Sequence, residues 1–182
     1  MISISILDAD LFNLKNVLNE LKNNKITHIH IDVLDTSFVP NISFGPTFIN
    51  KILEWDFKFD IHLMIKDPRL ILDSINLEKV ETVTIHYEIP NFHEIITFLN
   101  YKNVKICVAL NPDTINVKLP FELIYRILIM TVYPGFGSQK FIEKALDKIS
   151  LLQKYNIKIG IDGGINLDTI KKVKQFDYFV TF

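Results

Sequence analysis

A short run of β-branched residues followed by a helix-period pattern recurs from one end of the chain to the other. Strands are expected near residues 2–6, 27–33, 58–64, 80–86, 104–109, 123–131, 157–161 and 177–181. Helical patterns lie between them, near 10–23, 47–54, 68–76, 91–101, 141–154 and 167–175. Leu11, Leu14, Leu18 and Leu21 show the spacing of one buried helix face. A single turn is expected near 113–118. Strands that alternate with helices predict a parallel sheet, either closed as a (β/α)8 barrel or open and doubly wound.

Polar residues within the strands separate these two folds. Ser3 and Ser5 share one face of the first strand, His30 and Asp32 one face of the second, and Asp60 and His62 one face of the third. Strands covered by helices on both faces are apolar on both. Polar groups crowded at the C-terminal strand ends instead fit a barrel whose mouth is an active site. The 182 residues form one domain, 1–182. Such barrels usually take about 250 residues. The eighth strand runs into the C-terminus, so the expected fold is a (β/α)8 TIM barrel lacking its final helix.

Composition narrows the class of function. Twenty Lys+Arg against 21 Asp+Glu leave a net charge of −1, which disfavours a nucleic-acid backbone binder. The single cysteine, Cys107, excludes an internal disulfide and a cysteine-rich zinc site. No apolar run approaches membrane-spanning length, and the first charges, Asp8 and Asp10, do not suit a secretory signal. A cytoplasmic enzyme with no nucleic-acid or membrane partner is expected.

Two kinds of constellation carry chemistry. His30-x-Asp32 presents both side chains on one strand face, with His62 at the matching end of strand three and Asp162 at the end of strand seven. Two imidazoles and two carboxylates converging at a barrel mouth suit one divalent metal ion. The second kind is glycine-rich. Tyr133-Pro134-Gly135-Phe136-Gly137-Ser138-Gln139 and Asp162-Gly163-Gly164 each run from a strand toward a helix. There, backbone N–H groups approach an anion such as phosphate. The stretch from Leu34 to Asn41 reads as a cover over the mouth or as a packed surface loop. Met64 and Met130 read as core filler, and His28, His93 and Cys107 as structural. His86 ends strand four, within reach of a substrate.

SILDADL, HIDVLDTSFVPNISFGP, DIHLMI, TIHYE, ALNPDT, MTVYPGFGSQKF and IDGGI stand in the order seen in ribulose-phosphate 3-epimerases. The chain resembles that family over essentially its whole length. The resemblance implies interconversion of D-ribulose 5-phosphate and D-xylulose 5-phosphate, a step of the pentose phosphate pathway. It makes Asp32 the proton acceptor on one face and Asp162 the proton donor on the other. His30, Asp32, His62 and Asp162 would hold one Zn²⁺, Fe²⁺, Mn²⁺ or Co²⁺. Ser5 and His62 would contact the substrate. Gly135, Phe136, Gly137 and Ser138, with Gly163 and Gly164, would hold its phosphate end, and Asp162 would also bind the substrate.

The chain departs from the family pattern at Leu34, at Thr36 after Asp35, and at Ser138 after Gly137. It also stops before the family's Gly-Ser loop and last helix. An exposed apolar face is therefore expected on strands one and eight, from Ile2, Ile4 and Ile6 together with either Phe179 or Tyr178, Val180 and Phe182. Self-association as a homo-oligomer follows from it. Two alternatives stand beside the pentose epimerase. One is a truncated barrel that binds a sugar phosphate or a partner with little or no turnover; the other is a related ketohexose-phosphate 3-epimerase.

Overall fold

The computed structural model describes residues 1–173 and 176–181. Eight parallel strands close into a barrel in chain order: β1 (Ile2–Ser5), β2 (His28–Leu34), β3 (Lys58–Met64), β4 (Val80–His86), β5 (Lys105–Leu110), β6 (Ile124–Met130), β7 (Lys158–Asp162) and β8 (Tyr178–Thr181). β1 pairs with both β2 and β8, which closes the ring. Among the described residues, six α-helices lie between strands: α1 (Leu14–Asn23), α2 (Pro46–Ile52), α3 (Arg69–Ser74), α4 (Phe92–Tyr101), α5 (Ile149–Leu152) and α6 (Ile170–Val173). No helix among the described residues is long and apolar enough to cross a membrane.

Side-chain alternation sorts each strand into two environments. Along β2, Ile29, Ile31 and Val33 point outward into the helix–strand core, while His28, His30 and Asp32 point into the barrel. All seven β2 residues are buried, so no side of the strand meets solvent. Ser3, Asp60, His62, Thr82, Thr84, His86 and Arg126 are likewise buried, and the strand period places them inside. The opposite part of the interior is apolar, with Ala109, Leu128, Met130, Tyr178 and Val180 in one cluster.

The helices hold this ring by their apolar faces. Phe92, Ile95, Ile96 and Leu99 of α4 are buried at helical spacing. The expected 10–23 helix starts as a 3₁₀ turn, Leu11–Asn13, with the Asp10 side chain accepting the Phe12 N–H, before α1 begins at Leu14. The expected 141–154 helix is three short pieces: a 3₁₀ segment Glu143–Lys148, then α5, then a 3₁₀ turn Gln153–Tyr155 that ends at left-handed Asn156. Tighter winding puts Ala145 and Lys148, three residues apart, on one buried face. From there the Lys148 ammonium bonds the carbonyls of Asn111 and Pro112.

No helical turn forms at 113–118. Pro112 and Pro120 bracket the segment, and its few residues include β-branched Ile115 and Val117. The expected face on β1 and β8 is also less exposed than its composition suggests. Ile2 is 45% exposed, but the outward aromatic, Phe179, is only 8% exposed and belongs to the helix–strand core. Phe182, and residues 174–175 of the last expected helix, lie outside the described residues.

Candidate metal centre at the barrel mouth

His30 and Asp32 come from β2, His62 from β3 and Asp162 from the last position of β7. β2 and β7 are three places apart on the ring, separated by β1 and β8. The pairing of Asp32 with His62 across β2 and β3 sets two of the groups side by side. One ligand atom from each residue lies within 4.8 Å of the others, and all four residues are buried.

The separations test whether an ion fits. His62 Nδ1 is 3.1 Å from Asp32 Oδ1 and 3.4 Å from Asp162 Oδ2. His30 Nε2 is 3.3 Å from Asp32 Oδ1, 3.4 Å from His62 Nδ1 and 3.8 Å from Asp162 Oδ2. A tetrahedral ion with bonds of about 2.0–2.1 Å needs edges of about 3.3–3.4 Å. Four of these five separations lie close to that size and the fifth, His30 to Asp162, is longer; two imidazoles with two carboxylates suit a divalent first-row ion.

Electrostatics binds the same four groups together. Burial pulls both imidazoles toward neutrality, but the carboxylates outweigh it. His30 is raised mainly by the charge of Asp32, and His62 is raised to about 9 by hydrogen bonds to Asp162 and Asp32. Burial also opposes the charge on Asp32. Even so, the imidazoles of His30 and His62 hold it far below the usual carboxylate range.

Each imidazole is backed by a polar chain. His62 Nε2 meets His86 Nε2 at 2.8 Å, and His86 Nδ1 faces Glu88 Oε2 at a looser 3.4 Å. Glu88 accepts from the Asn111 N–H at 2.9 Å and from the Thr114 hydroxyl. His86 is lowered by burial, so it stays neutral and can accept the His62 proton. His62 Nδ1 is then the nitrogen that faces the metal position and gives up its proton to an incoming ion. On the other side, His30 Nδ1 lies 3.4 Å from the Tyr178 hydroxyl, which donates to Asp60 Oδ2 at 2.7 Å. Asp60 also accepts from Ser3 and Thr82 and faces Arg126 at 3.5 Å. The Arg126 guanidinium lies over the Tyr178 ring, its central carbon 3.5 Å from the ring centre. Gly160 pairs with Tyr178, and a Cβ there would lie 2.8 Å from the tyrosine ring.

Sequence reasoning identified the four inner groups but missed Glu88, Tyr178 and Arg126. The available signal for Arg126 is a charge at an inward position of the otherwise apolar run Ile124–Met130. Among the residues read as structural, His28 is buried against Glu81, His93 is exposed, and Cys107 is buried and free.

Above the four groups, a cavity opens at the mouth. Ser5, Asp32, Asp162, Met64 and Met130 line it, together with Gly135–Ser138 and Gly163–Gly164. His62 lies beneath, fully buried, and does not line the cavity. Ser5 donates to Asp32 Oδ2 at 2.7 Å, on the oxygen turned away from the imidazoles. The glycine loops are braced from several sides. Gln139 donates to the Tyr133 and Phe136 carbonyls at 2.6 and 2.7 Å, and Asn41 to the Gly135 carbonyl at 2.7 Å. Thr131 donates to the Gly163 carbonyl at 2.6 Å. Gly164 has φ +66°, and a Cβ there would meet the Phe141 backbone at 2.8 Å, so only glycine fits. In the loop after β2, Phe38 packs its ring 4.7 Å from that of His86, which joins the loop to the mouth.

Closed (β/α)8 topology with a buried two-histidine, two-carboxylate group at the C-terminal strand ends defines a TIM-barrel enzyme with a metal-type centre. Its backbone resembles that of 3-keto-L-gulonate-6-phosphate decarboxylase from Vibrio cholerae, with a TM-score of 0.62 at 15% identity over 100% of this chain and 87% of that one. That likeness concerns the fold alone. The Ribulose-phosphate 3 epimerase family profile matches residues 1–181, and the chain belongs to that family. The ribulose-phosphate 3-epimerase of Encephalitozoon cuniculi is 46% identical over 179 residues, covering 98% of this chain and 84% of the relative. Those of Bacillus subtilis and Methanocaldococcus jannaschii are 35% and 34% identical, covering 91% and 92% of this chain and 81% and 75% of theirs.

Proposed function

We propose that the chain interconverts D-ribulose 5-phosphate and D-xylulose 5-phosphate by moving the proton at C3 from one face of the sugar to the other. The observation that carries this reading is the pair Asp32 and Asp162. Both line the same cavity, from strands three places apart, over two buried imidazoles.

The C3 proton is acidic because the C2 carbonyl is adjacent. Asp32 is the acceptor on one face. Its Oδ1 belongs to the histidine cluster and its Oδ2 is held by Ser5, so the carboxylate is fixed in orientation. Asp162 is the donor on the other face, returning a proton to C3. A divalent ion held by His30, Asp32, His62 and Asp162 would polarise the C2 and C3 oxygens and acidify the proton to be moved. Ser5, which lines the cavity, is assigned to the reacting end of the substrate, and His62, which lies beneath it, to the metal position alone. Backbone N–H groups of Gly135, Phe136, Gly137, Ser138, Gly163 and Gly164 are assigned to its phosphate end, where glycines let an anion approach closely.

The reading is tested by a coupled assay with ribulose 5-phosphate on metal-loaded protein, run in deuterated water. Turnover with solvent deuterium appearing at C3 supports it; turnover without exchange would remove the two-carboxylate assignment. The same assay on a ketohexose 6-phosphate separates the pentose reading from its hexose relative.

A further inference from the structure

The corner assigned to phosphate contains a carboxylate of its own, Asp8. Three carboxylates line the cavity, Asp8, Asp32 and Asp162, and no lysine or arginine does among the described residues. A divalent ion would be held by Asp32 and Asp162 with the two imidazoles, and Asp8 is not among those four residues. Its carboxylate lies directly on the anion loop. Asp8 Oδ2 accepts the Ser138 hydroxyl at 3.1 Å, and a Cβ on Gly137 would fall 1.9 Å from that oxygen. Ser138 is itself left-handed, with φ +55°, which turns its hydroxyl toward Asp8. The N–H groups of Gly137 and Ser138 donate to nothing else among the described residues. A carboxylate therefore stands beside free donors that would otherwise meet an anion alone.

Resting on the phosphate reading of this loop, we propose that Asp8 is a specificity-determining residue that weakens the grip on the substrate's phosphate. Its charge opposes a dianion at the loop, and its bond to Ser138 keeps one hydroxyl from that dianion. Asp8 touches no group of the metal centre, so its effect falls on binding and not on proton transfer.

The test compares wild type with Asp8→Asn and Asp8→Ala, all metal-loaded. The measurements are KM and kcat for ribulose 5-phosphate, and the inhibition constant of inorganic phosphate. Both variants should lower KM and the phosphate inhibition constant on the order of tenfold at low salt, with kcat within about twofold. The gain should shrink as ionic strength rises and screens the exposed carboxylate. If phosphate competes in wild type but neither variant binds it or the substrate more tightly, the role of Asp8 is overturned and the phosphate reading stands. A gain in Asp8→Ala alone assigns the effect to the Ser138 hydrogen bond and overturns the role of charge. If phosphate competes in none of the three proteins, the phosphate reading of the loop fails and takes this proposal with it.

Discussion

His62 and His86 meet nitrogen to nitrogen, Nε2 to Nε2 at 2.8 Å, with ring planes only 19° apart. Centroids 4.9 Å apart along that line make this an in-plane hydrogen bond, not a face-to-face stack. One proton sits between the rings, and because burial keeps His86 neutral, it belongs to His62. The next carboxylate along, Glu88, faces the far nitrogen of His86 at 3.4 Å and touches no metal-type residue.

Glu88→Gln should weaken divalent-metal affinity by about 10–100-fold, the usual cost of losing an outer partner of a ligating histidine. Competition with a chromophoric chelator measures this directly. The absorption spectrum of the Co²⁺-loaded protein should shift as the His62 ring loses its fixed orientation. An unchanged affinity and spectrum would show that His86 holds its tautomer without Glu88.

Asp32→Asn and Asp162→Asn should each lower kcat by about 10²–10⁴-fold, the range for a lost acid–base group. Both should also bind metal less tightly, so metal content has to be measured alongside rate. Wild-type turnover in either variant would remove that carboxylate from proton transfer.

Metal uptake should release protons near neutral pH. In the metal-free protein His62 titrates at about 9, so at pH 7 it carries a proton that an incoming ion must displace. Affinity should rise at least tenfold per pH unit through neutrality, because the raised His30 also gives up its proton, and level off once both imidazoles are neutral. Stability of the metal-free fold runs the other way. A raised imidazole contributes stability in full below its ordinary value of 6.5 and loses it as pH climbs through about 9. Titration calorimetry in two buffers of different ionisation heat counts the protons, and a count of zero would contradict the charged state of His62.

The Asp60–Arg126 pair should matter for folding more than for rate. Each residue is only 2% exposed. Arg126→Met leaves Asp60 buried without its cation and should cost about 3–5 kcal/mol. Changing Asp60 to Asn as well should recover part of that loss, because the orphaned charge is gone. Urea melts of the two single variants and the double variant give the coupling; simple additivity would show that the pair does not interact.

The barrel and its four inner groups were legible because strand period and burial coincide. His30, Asp32 and His62 alternate with isoleucine, valine and leucine, and one face of each strand must then be the interior. Helix form was less legible. Residues 141–154 carry a helical apolar pattern, yet Lys148 has to reach two carbonyls on the loop after β5, and that contact goes with a tighter winding. The outer partners escaped for a related reason. Tyr178 and Arg126 come from β8 and β6, and only closure of the ring brings them to Asp60 and His30. Asp8 is one more exposed acid near the N-terminus until the Gly137–Ser138 turn folds against it.

The β2–β3 pairing runs without a break from His28–Lys58 to Leu34–Met64. Because side chains alternate, a slip of one residue in β2 would exchange its two sides. Ile29, Ile31 and Val33 would enter the polar interior, and His30 and Asp32 would be thrust into the oily layer beneath the helices. A mispaired chain could stay compact and still lack half of its ligand set. Stoichiometric metal content after refolding is therefore a readout of strand alignment: it separates correctly threaded molecules from collapsed impostors with the same secondary-structure content.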